Sequence, residues 1–396
     1  MKSPIPDAPI PLFRPRVLDA GRRRVLATLE SGWLGYGPEC RQLERQFTQP
    51  RGGWALATSS CTSALYLSGR LVRALSGESA PEVIVPAISF VASGVAFAQA
   101  GVRPVIADTH IDDLLLDPRS VERALTARTR AILVVHLYGQ RSPDLRSLRA
   151  LADAHGLLLI EDCAHRVDLL DGEAPVGDLL CYSFNAVKEL AAGEGGLLWG
   201  REAAHEPWVR SVSNLGLTVD TMERAATLHH ADYAFVPEPG LKLRSNDLAA
   251  ALVNAGLESL AEDRARRREQ FLLYDGLLAP LAPAVRALRR GDHDSCLMYV
   301  VKVPAVLREA MRATMAATGV ATSVHYPSLA RHPLFGNKLP GGSCGDQDQS
   351  IVTLPTFPDL SEHAQRRVVA TLARALEATP RTTGAETTAA NPASLV

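Results

Sequence analysis

One lysine stands in the otherwise apolar, glycine-punctuated stretch CYSFNAVKELAAGEGG, residues 181–196. Taken alone, Lys188 reads equally as a surface lysine on a short helix or as an interior amine held for covalent chemistry. Upstream, the apolar run LLLIEDCAH (157–165) ends in Glu161 and Asp162, with His165 just beyond. Ligands of α/β sheets collect at the carboxyl ends of the strands, and Asp162 stands at such an end. Ser183, near the end of CYSF, stands at another. About one crossover of chain separates Asp162 from Lys188, so neighbouring strand ends can bring the two together.

A carboxylate and an amine in one site suggest pyridoxal phosphate (PLP). The amine forms a Schiff base with the cofactor aldehyde. The carboxylate pairs with the protonated pyridine nitrogen and keeps the ring an electron sink. The phosphate needs a cradle, and ATSSCTSALYLSG (57–69) offers a strand, a small-residue turn and a helix start. There the amides of Thr62 and Ser63 would favour an anion, and the Ser183 hydroxyl adds a donor. Phe90, in VPAISF (85–90), is a stacking partner for the ring, with His165 on its other face. Each feature also has an ordinary structural reading. Asp162 serves as a cap or turn residue, SSCTS as a plain strand-to-helix turn, Phe90 as core and His165 as a satisfied histidine. Their order along the chain is what favours a site.

The elements that must position these residues are legible as an alternation. Short apolar runs at 54–58, 82–86, 103–108, 130–136, 157–161, 181–184 and 196–199 read as strands buried on both faces of a parallel sheet. Amphipathic segments at 60–75, 118–127 and 144–155 read as the helices between them. This predicts an α/β domain over residues 1–250 with a largely parallel sheet and right-handed crossovers. From Asn246, NDLAAALVNAGLESLAEDRARRREQFLLYDGLLAPL predicts one long helix, capped by Ser245 or Asn246. Strands at 297–303 and 320–326, with helices at 305–318 and 361–377, predict a smaller α+β domain over 251–377. The tail 378–396 is poor in large apolar residues and predicts disorder.

Composition narrows the function classes. The 396 residues suit two packed domains, and 46% are hydrophobic, enough for a large core. Lys+Arg of 42 against Asp+Glu of 43 gives no electrostatic case for nucleic acid or a membrane surface as partner. Six scattered cysteines without a C-x-x-C pair read as reduced thiols of a cytoplasmic protein, and no metal site is expected. The start, with three prolines in ten residues, lacks the apolar region of a signal peptide. No apolar run is long enough to span a bilayer.

From about residue 10 to 375 the wording resembles the DegT/DnrJ/StrS sugar aminotransferase family, a branch of fold-type I PLP enzymes. The resemblance is carried by SGWLGYGPECRQLERQF (31–47), VPAISFVASGVAFAQAGVRPVIAD (85–108), VVHLYGQ (134–140), IEDCAH (160–165) and GDLLCYSFNAVKELAAGEGG (177–196). The last two are the specific ones. The resemblance implies an aspartate aminotransferase-like fold with a mainly parallel central sheet and a smaller C-terminal α+β domain. It implies PLP as cofactor, with Lys188 as its covalent partner and Asp162 on the pyridine nitrogen. Thr62, Ser63 and Ser183 would hold the phosphate, Phe90 and His165 would flank the ring, and His165 would join Lys188 and Asp162 as a catalytic residue. It further implies a homodimer with shared active sites. In GLKLRSND (240–247), Lys242 stands where the family has an Asn that reaches the neighbouring subunit's phosphate. VHYPSLARHPLF (324–335) retains His325 and Tyr326 but is shorter than the family's substrate-side pattern.

The implied activity is ping-pong transfer of an amino group, commonly from Glu or Gln, to a keto sugar, cyclitol or related small keto compound. Secondary-metabolite or sugar biosynthesis is the expected setting. Another PLP reaction on the same scaffold, such as elimination, decarboxylation or carbon–carbon bond formation, is the alternative. A binding or regulatory protein ranks below both, as nothing basic, repetitive or helix-turn-helix-like supports it. A dinucleotide-binding oxidoreductase ranks low because no G-x-G-x-x-G follows the first strand.

Overall fold

The computed structural model describes residues 8–170, 172, 174–219, 233–291, 294–335 and 343–378. Seven strands make the central sheet: β1 (Trp54–Thr58), β2 (Glu82–Pro86), β3 (Arg103–Ala107), β4 (Thr129–Val135), β5 (Leu158–Cys163), β6 (Leu179–Ser183) and β7 (Gly196–Gly200). Their order is β1-β7-β6-β5-β4-β2-β3. The pairs β6–β5, β5–β4, β4–β2 and β2–β3 are parallel, while β7 runs antiparallel to both β1 and β6. All strands but β7 therefore end on one edge of the sheet. That edge collects the residues singled out above.

The strands form where they do because they are buried on both faces. Val83, Val85, Leu133 and Ile160 join one apolar cluster, while Ile84, Ile132, Val134 and Leu159 join another across the sheet. Helices α3 (Cys61–Ser76), α4 (Ala92–Gln99) and α7 (Glu206–Val212) cover the first face. Helices α5 (Pro118–Ala124) and α6 (Leu145–Ala154) cover the other near β2, β4 and β5. Helix α2 (Pro38–Thr48) and helix α8 (Asp247–Leu257) cover it near β1, β6 and β7. Each fully buried large apolar side chain contributes about 1.5–3 kcal/mol, so these clusters fix the strand register on which the site depends. Helix α1 (Asp19–Ser31) lies against α8.

A separate cluster lies around a three-stranded antiparallel sheet of order β10-β9-β8, built from β8 (Arg286–Ala287), β9 (Tyr299–Lys302) and β10 (Ile351–Leu354). Helices α9 (Leu260–Leu278), α10 (Arg308–Ala317) and α11 (Glu362–Ala378) pack on it through Phe271, Tyr274, Met311, Met315, Val368 and Leu372. Ile10, near the start of the chain, is part of this cluster, and its backbone bonds Gly319 and Ala321.

Two expectations need correction. The long helix is two, because the chain turns at Glu258 and Ser259. Ser259 takes a non-helical conformation there, and its hydroxyl bonds Gly256 O and Asp263. Of the two candidate caps, Asn246 is the one used, accepting the amide of Ala249. Residues 320–326 do not form a strand. Val320 and Ser323 make only isolated bridges, to Ile10 and Thr353, and the third strand of the small sheet is instead Ile351–Leu354. The tail 379–396 lies outside the described residues. No helix among the described residues is long and apolar enough to cross a membrane.

Strand β7 passes close beneath the turn that follows β1. A Cβ on Gly196 would stand 2.3 Å from the carbonyl carbon of Ser60 and 2.5 Å from the amide nitrogen of Cys61. Both are backbone atoms, so the turn itself must move. Gly196→Ala is expected to lower unfolding stability by about 1–3 kcal/mol, measured by urea titration. An unchanged midpoint would show that the turn yields without cost.

Candidate active site

The carboxyl edge of the large sheet opens into a cavity of about 390 Å³. Asp162, Lys188, His165, Phe90, Thr62 and Ser183 all line it, joined by Ser60, Cys61, Ser89, Asn185, Glu194, His325 and Tyr326.

Asp162 forms the floor, on the penultimate residue of β5 and only 4% exposed. Its Oδ1 accepts the amide of Ala164 at 3.0 Å and the thiol of Cys61 at 3.8 Å. Its Oδ2 accepts the hydroxyl of Ser93 at 3.0 Å. Since a carboxylate only accepts, the Ser93 hydrogen is committed there, and Ser89 Oγ, 2.8 Å from Ser93 Oγ, donates in turn. Burial pushes the Asp162 carboxyl above its ordinary range, against the pull of these donors and of Lys188.

Lys188 sits on the connection between β6 and β7, which closes on itself. Phe184 donates to Gly195 O, Ala186 to Gly193 O and Ala192 to Phe184 O. Gly193 and Gly195 hold φ of 85° and 157°, conformations that side-chain-bearing residues rarely adopt, which accounts for the G-E-G-G ending. The next residue, Glu189, anchors the turn. Its side chain is 3% exposed, accepts the amide of Val167 at 2.6 Å and takes a two-point contact from Arg264 on α9, at 2.8 and 3.2 Å. Arg264 also bonds Val167 O. The lysine turn, the segment after β5 and the start of α9 thus meet in one ion pair. Burial lowers the Lys188 amine to about 8, against the raising effect of Asp162. Its Nζ has no hydrogen-bond partner among the described residues, and no ion pair within 4.0 Å joins it to Asp162.

His165 is buried with both ring nitrogens engaged: Nδ1 accepts the amide of Tyr138 at 3.0 Å, and Nε2 lies 3.1 Å from Tyr326 Oη. Burial first, and then the neighbouring Lys188 amine, hold its pKa well below the ordinary value. The ring lines the cavity with both of its nitrogens engaged. Phe90 also lines the cavity and is 52% exposed, its ring 5.4 Å from that of Tyr326.

The anion cradle differs in detail from expectation. The N-cap of α3 is Ser60, whose hydroxyl accepts the amide of Ser63, while Ala64 N bonds Ser60 O. Ser63 Oγ bonds Ser59 and Ser60, and Ser63 does not line the cavity. The first-turn amides left over are those of Cys61 and Thr62. Ser183 accepts the amide of Asn185 at 3.4 Å. Lys242 is not brought to the cavity of its own chain. It is exposed in a segment that runs beside the cradle, where Ser59 N bonds Leu243 O and Ser245 N bonds Ala57 O.

Sequence reasoning missed Ser60, Ser93, Glu189 and the part played by Tyr326. The N-cap preference for serine was a usable signal for Ser60. The other three act on residues distant in the chain, and no local spacing marks them.

The donor set suits PLP by its chemistry. An amine, a buried carboxylate kept apart from it, helix amides with hydroxyls, and an exposed aromatic face surround one space. They match the aldehyde, ring nitrogen, phosphate and ring plane of that cofactor. A model of the DegT/DnrJ/EryC1/StrS aminotransferase family matches residues 18–373. Among solved structures, the chain is similar to the aminotransferase TlmJ from Streptoalloteichus hindustanus. The two share 30% identity over 93% of this chain and 99% of that one, with a TM-score of 0.82. It is similar to DesI, solved in the presence of its TDP-sugar product, at 28% identity over 92% of each chain and a TM-score of 0.80. NtdA from Bacillus subtilis, with bound cofactor PMP, shares 25% identity over 91% of this chain and 83% of that one, TM-score 0.78.

The lowered Lys188 amine sets a pH dependence. Only the neutral amine attacks an aldehyde, and a pKa of about 8 leaves the ligand-free protein mostly protonated at neutral pH. Covalent capture of added PLP is expected to speed up with pH, about tenfold per unit below 8, and to level off above it. Stopped-flow absorbance reads the rate, and a midpoint near 10.5 would contradict the burial argument.

Proposed function

This chain belongs to the DegT/DnrJ/EryC1/StrS aminotransferase family, and from there we propose that it moves an amino group from glutamate or glutamine to the keto carbon of a sugar or cyclitol. The enzyme is a PLP-dependent aminotransferase. The observation that carries the site assignment is the pair Lys188 and Asp162, the first half-buried and the second buried, facing one cavity and not joined to each other.

Bound there, PLP supplies an electron sink for charge that develops on the amino donor's α-carbon. Lys188 Nζ would hold the cofactor, and its amine would take a proton from the donor's α-carbon and return it. An amine near pH 8 is matched to that task, which is worth roughly 10²–10⁴ in rate. Asp162 keeps the ring nitrogen protonated, fixed by Ser93 and Ala164. The amides of Cys61 and Thr62 and the hydroxyl of Ser183 hold the phosphate at the start of α3. Phe90 and His165 confine the ring plane. A sugar acceptor is supported by the TDP-sugar named for DesI.

We further propose a homodimer with shared sites. Leu215, Tyr233, Phe235 and Leu241 are all exposed beside Lys242, and the Tyr233 and Phe235 rings stack 6.3 Å apart. Leu215 N bonds Leu241 O, and Phe235 bridges Leu217, so these side chains share one surface. Lys242 from this surface would supply a charge-assisted bond to the phosphate in the partner's cavity.

Two outcomes test these readings. Asp162→Asn keeps the shape and loses the charge, and is expected to cost about 3–5 kcal/mol of rate. The measurement is a single-turnover spectrum with glutamate or glutamine added. Near-normal turnover would remove Asp162 from the ring nitrogen, and a spectrum unmoved by any amino donor in the parent protein would remove transamination. Lys242→Ala is expected to weaken retention of PLP on gel filtration, with Lys242→Asn restoring much of it. A monomer that keeps PLP as tightly as the parent would refute the shared site.

A further inference from the structure

We propose that the hydroxyl of Tyr326 is a one-way hydrogen-bond donor into the cavity, aimed at an oxygen of the molecule bound there. The inference rests on the reading of this cavity as the PLP-dependent site. Its direction follows from a backbone amide, which can only donate. Tyr138 N gives its hydrogen to His165 Nδ1 at 3.0 Å, so Nδ1 holds the lone pair. A neutral imidazole then carries its own hydrogen on Nε2. Nε2 lies 3.1 Å from Tyr326 Oη, so the hydrogen in that contact belongs to His165. Tyr326 accepts there, and its own O–H is left to give.

Among the described residues no protein group takes that hydrogen. The phenol lines the cavity with His165 and Phe90, and burial pushes its pKa up, so it stays protonated. Tyr138 sets both ends of the relay. Its backbone holds φ at 63°, unusual for a tyrosine, and its own hydroxyl donates to His325 O, the carbonyl next to Tyr326. A donor fixed this way has lost its freedom to rotate toward water, so a bound oxygen is recognised without further ordering.

Two oxygens fit. Lys188, Asp162 and the start of α3 account for three polar edges of PLP, which leaves the phenolic oxygen of its ring. The other is a hydroxyl or carbonyl oxygen of the amino acceptor. Both are acceptors of the same bond, and one variant separates them. Tyr326→Phe keeps the ring and loses the hydroxyl. If the acceptor is the target, amine transfer to the keto substrate falls about tenfold while the visible band of the resting holoenzyme keeps its pH midpoint. If the cofactor oxygen is the target, that midpoint moves in the absence of any substrate. If neither changes in a folded variant, the proposal is overturned.

The relay itself is read separately in ¹⁵N-histidine-labelled protein, with His165→Gln identifying the signal. The expected His165 has a bare Nδ1 and a protonated Nε2, unchanged between pH 6 and 8. A hydrogen on Nδ1, or an imidazolium, reverses the direction and overturns the proposal. Failure of the parent protein to bind PLP or transfer an amine would strike the aminotransferase reading instead, because the histidine signal needs neither.

Discussion

Two opposite charges taken out of water and kept apart dominate this molecule. Asp162 and Lys188 each bear the cost of burial, the carboxyl pushed up and the amine pulled down. A direct ion pair would relieve both, yet none forms within 4.0 Å. The fold withholds it by placing them on different supports: Asp162 inside a strand, Lys188 on a self-closed turn after the next one. A molecule with an electrophilic carbon at one end and a basic ring nitrogen at the other relieves both groups at once. An unpaired buried charge costs several kcal/mol, and the packing of the sheet and the turn holds the two groups apart against that cost.

That packing explains which parts of the molecule were legible in its sequence. Strands β1 and β2 read directly because every residue in them is buried. The lysine segment read directly because glycines at positive φ leave a visible trace in the sequence. The stretch 320–326 misled because Val320, Val324 and Tyr326 alternate as a half-buried strand would. What they serve is different, since Val320 fills the small core and Tyr326 turns toward the cavity. The strand Ile351–Leu354 was hidden by its length of four residues. The continuous helix beyond Asn246 looked plausible because Glu258 and Ser259 are tolerated in helices, and only the loop-like hydroxyl contacts of Ser259 reveal the break.

Within the site, the groups that act directly were readable and the groups that hold them were not. Asp162, Lys188, Phe90 and Ser183 stand at strand ends or in glycine-marked turns, positions that follow from the alternation of elements. Ser93 and Glu189 are ordinary residues until the chain folds. Ser93 then meets a carboxylate from another strand, and Glu189 meets an arginine from another helix. Ser63 suggests itself as a phosphate ligand because an amide at the start of a helix favours an anion. In the structure a serine side chain had already taken that amide. Helix capping and anion binding compete for the same few donors, and the sequence alone does not say which wins at each.

The same competition governs His165. A histidine beside a carboxylate and a lysine invites a catalytic reading, but chemistry needs a nitrogen that can change its proton. Here one nitrogen is filled by a backbone amide and the other by a phenol, and burial and the neighbouring Lys188 amine oppose a charge on the ring. The imidazole is thereby fixed as a neutral, oriented surface. Its chemical capacity passes outward to Tyr326, which comes from the C-terminal part of the chain, while Asp162 and Lys188 come from the large sheet. Glu189 and Arg264 tie those two parts together directly behind the lysine. The cavity is lined by residues of the large sheet's edge together with His325 and Tyr326 from the later part of the chain. A change in how they meet would be felt first at Tyr326, Lys188 and the segment after His165, which are the walls between which a substrate must fit.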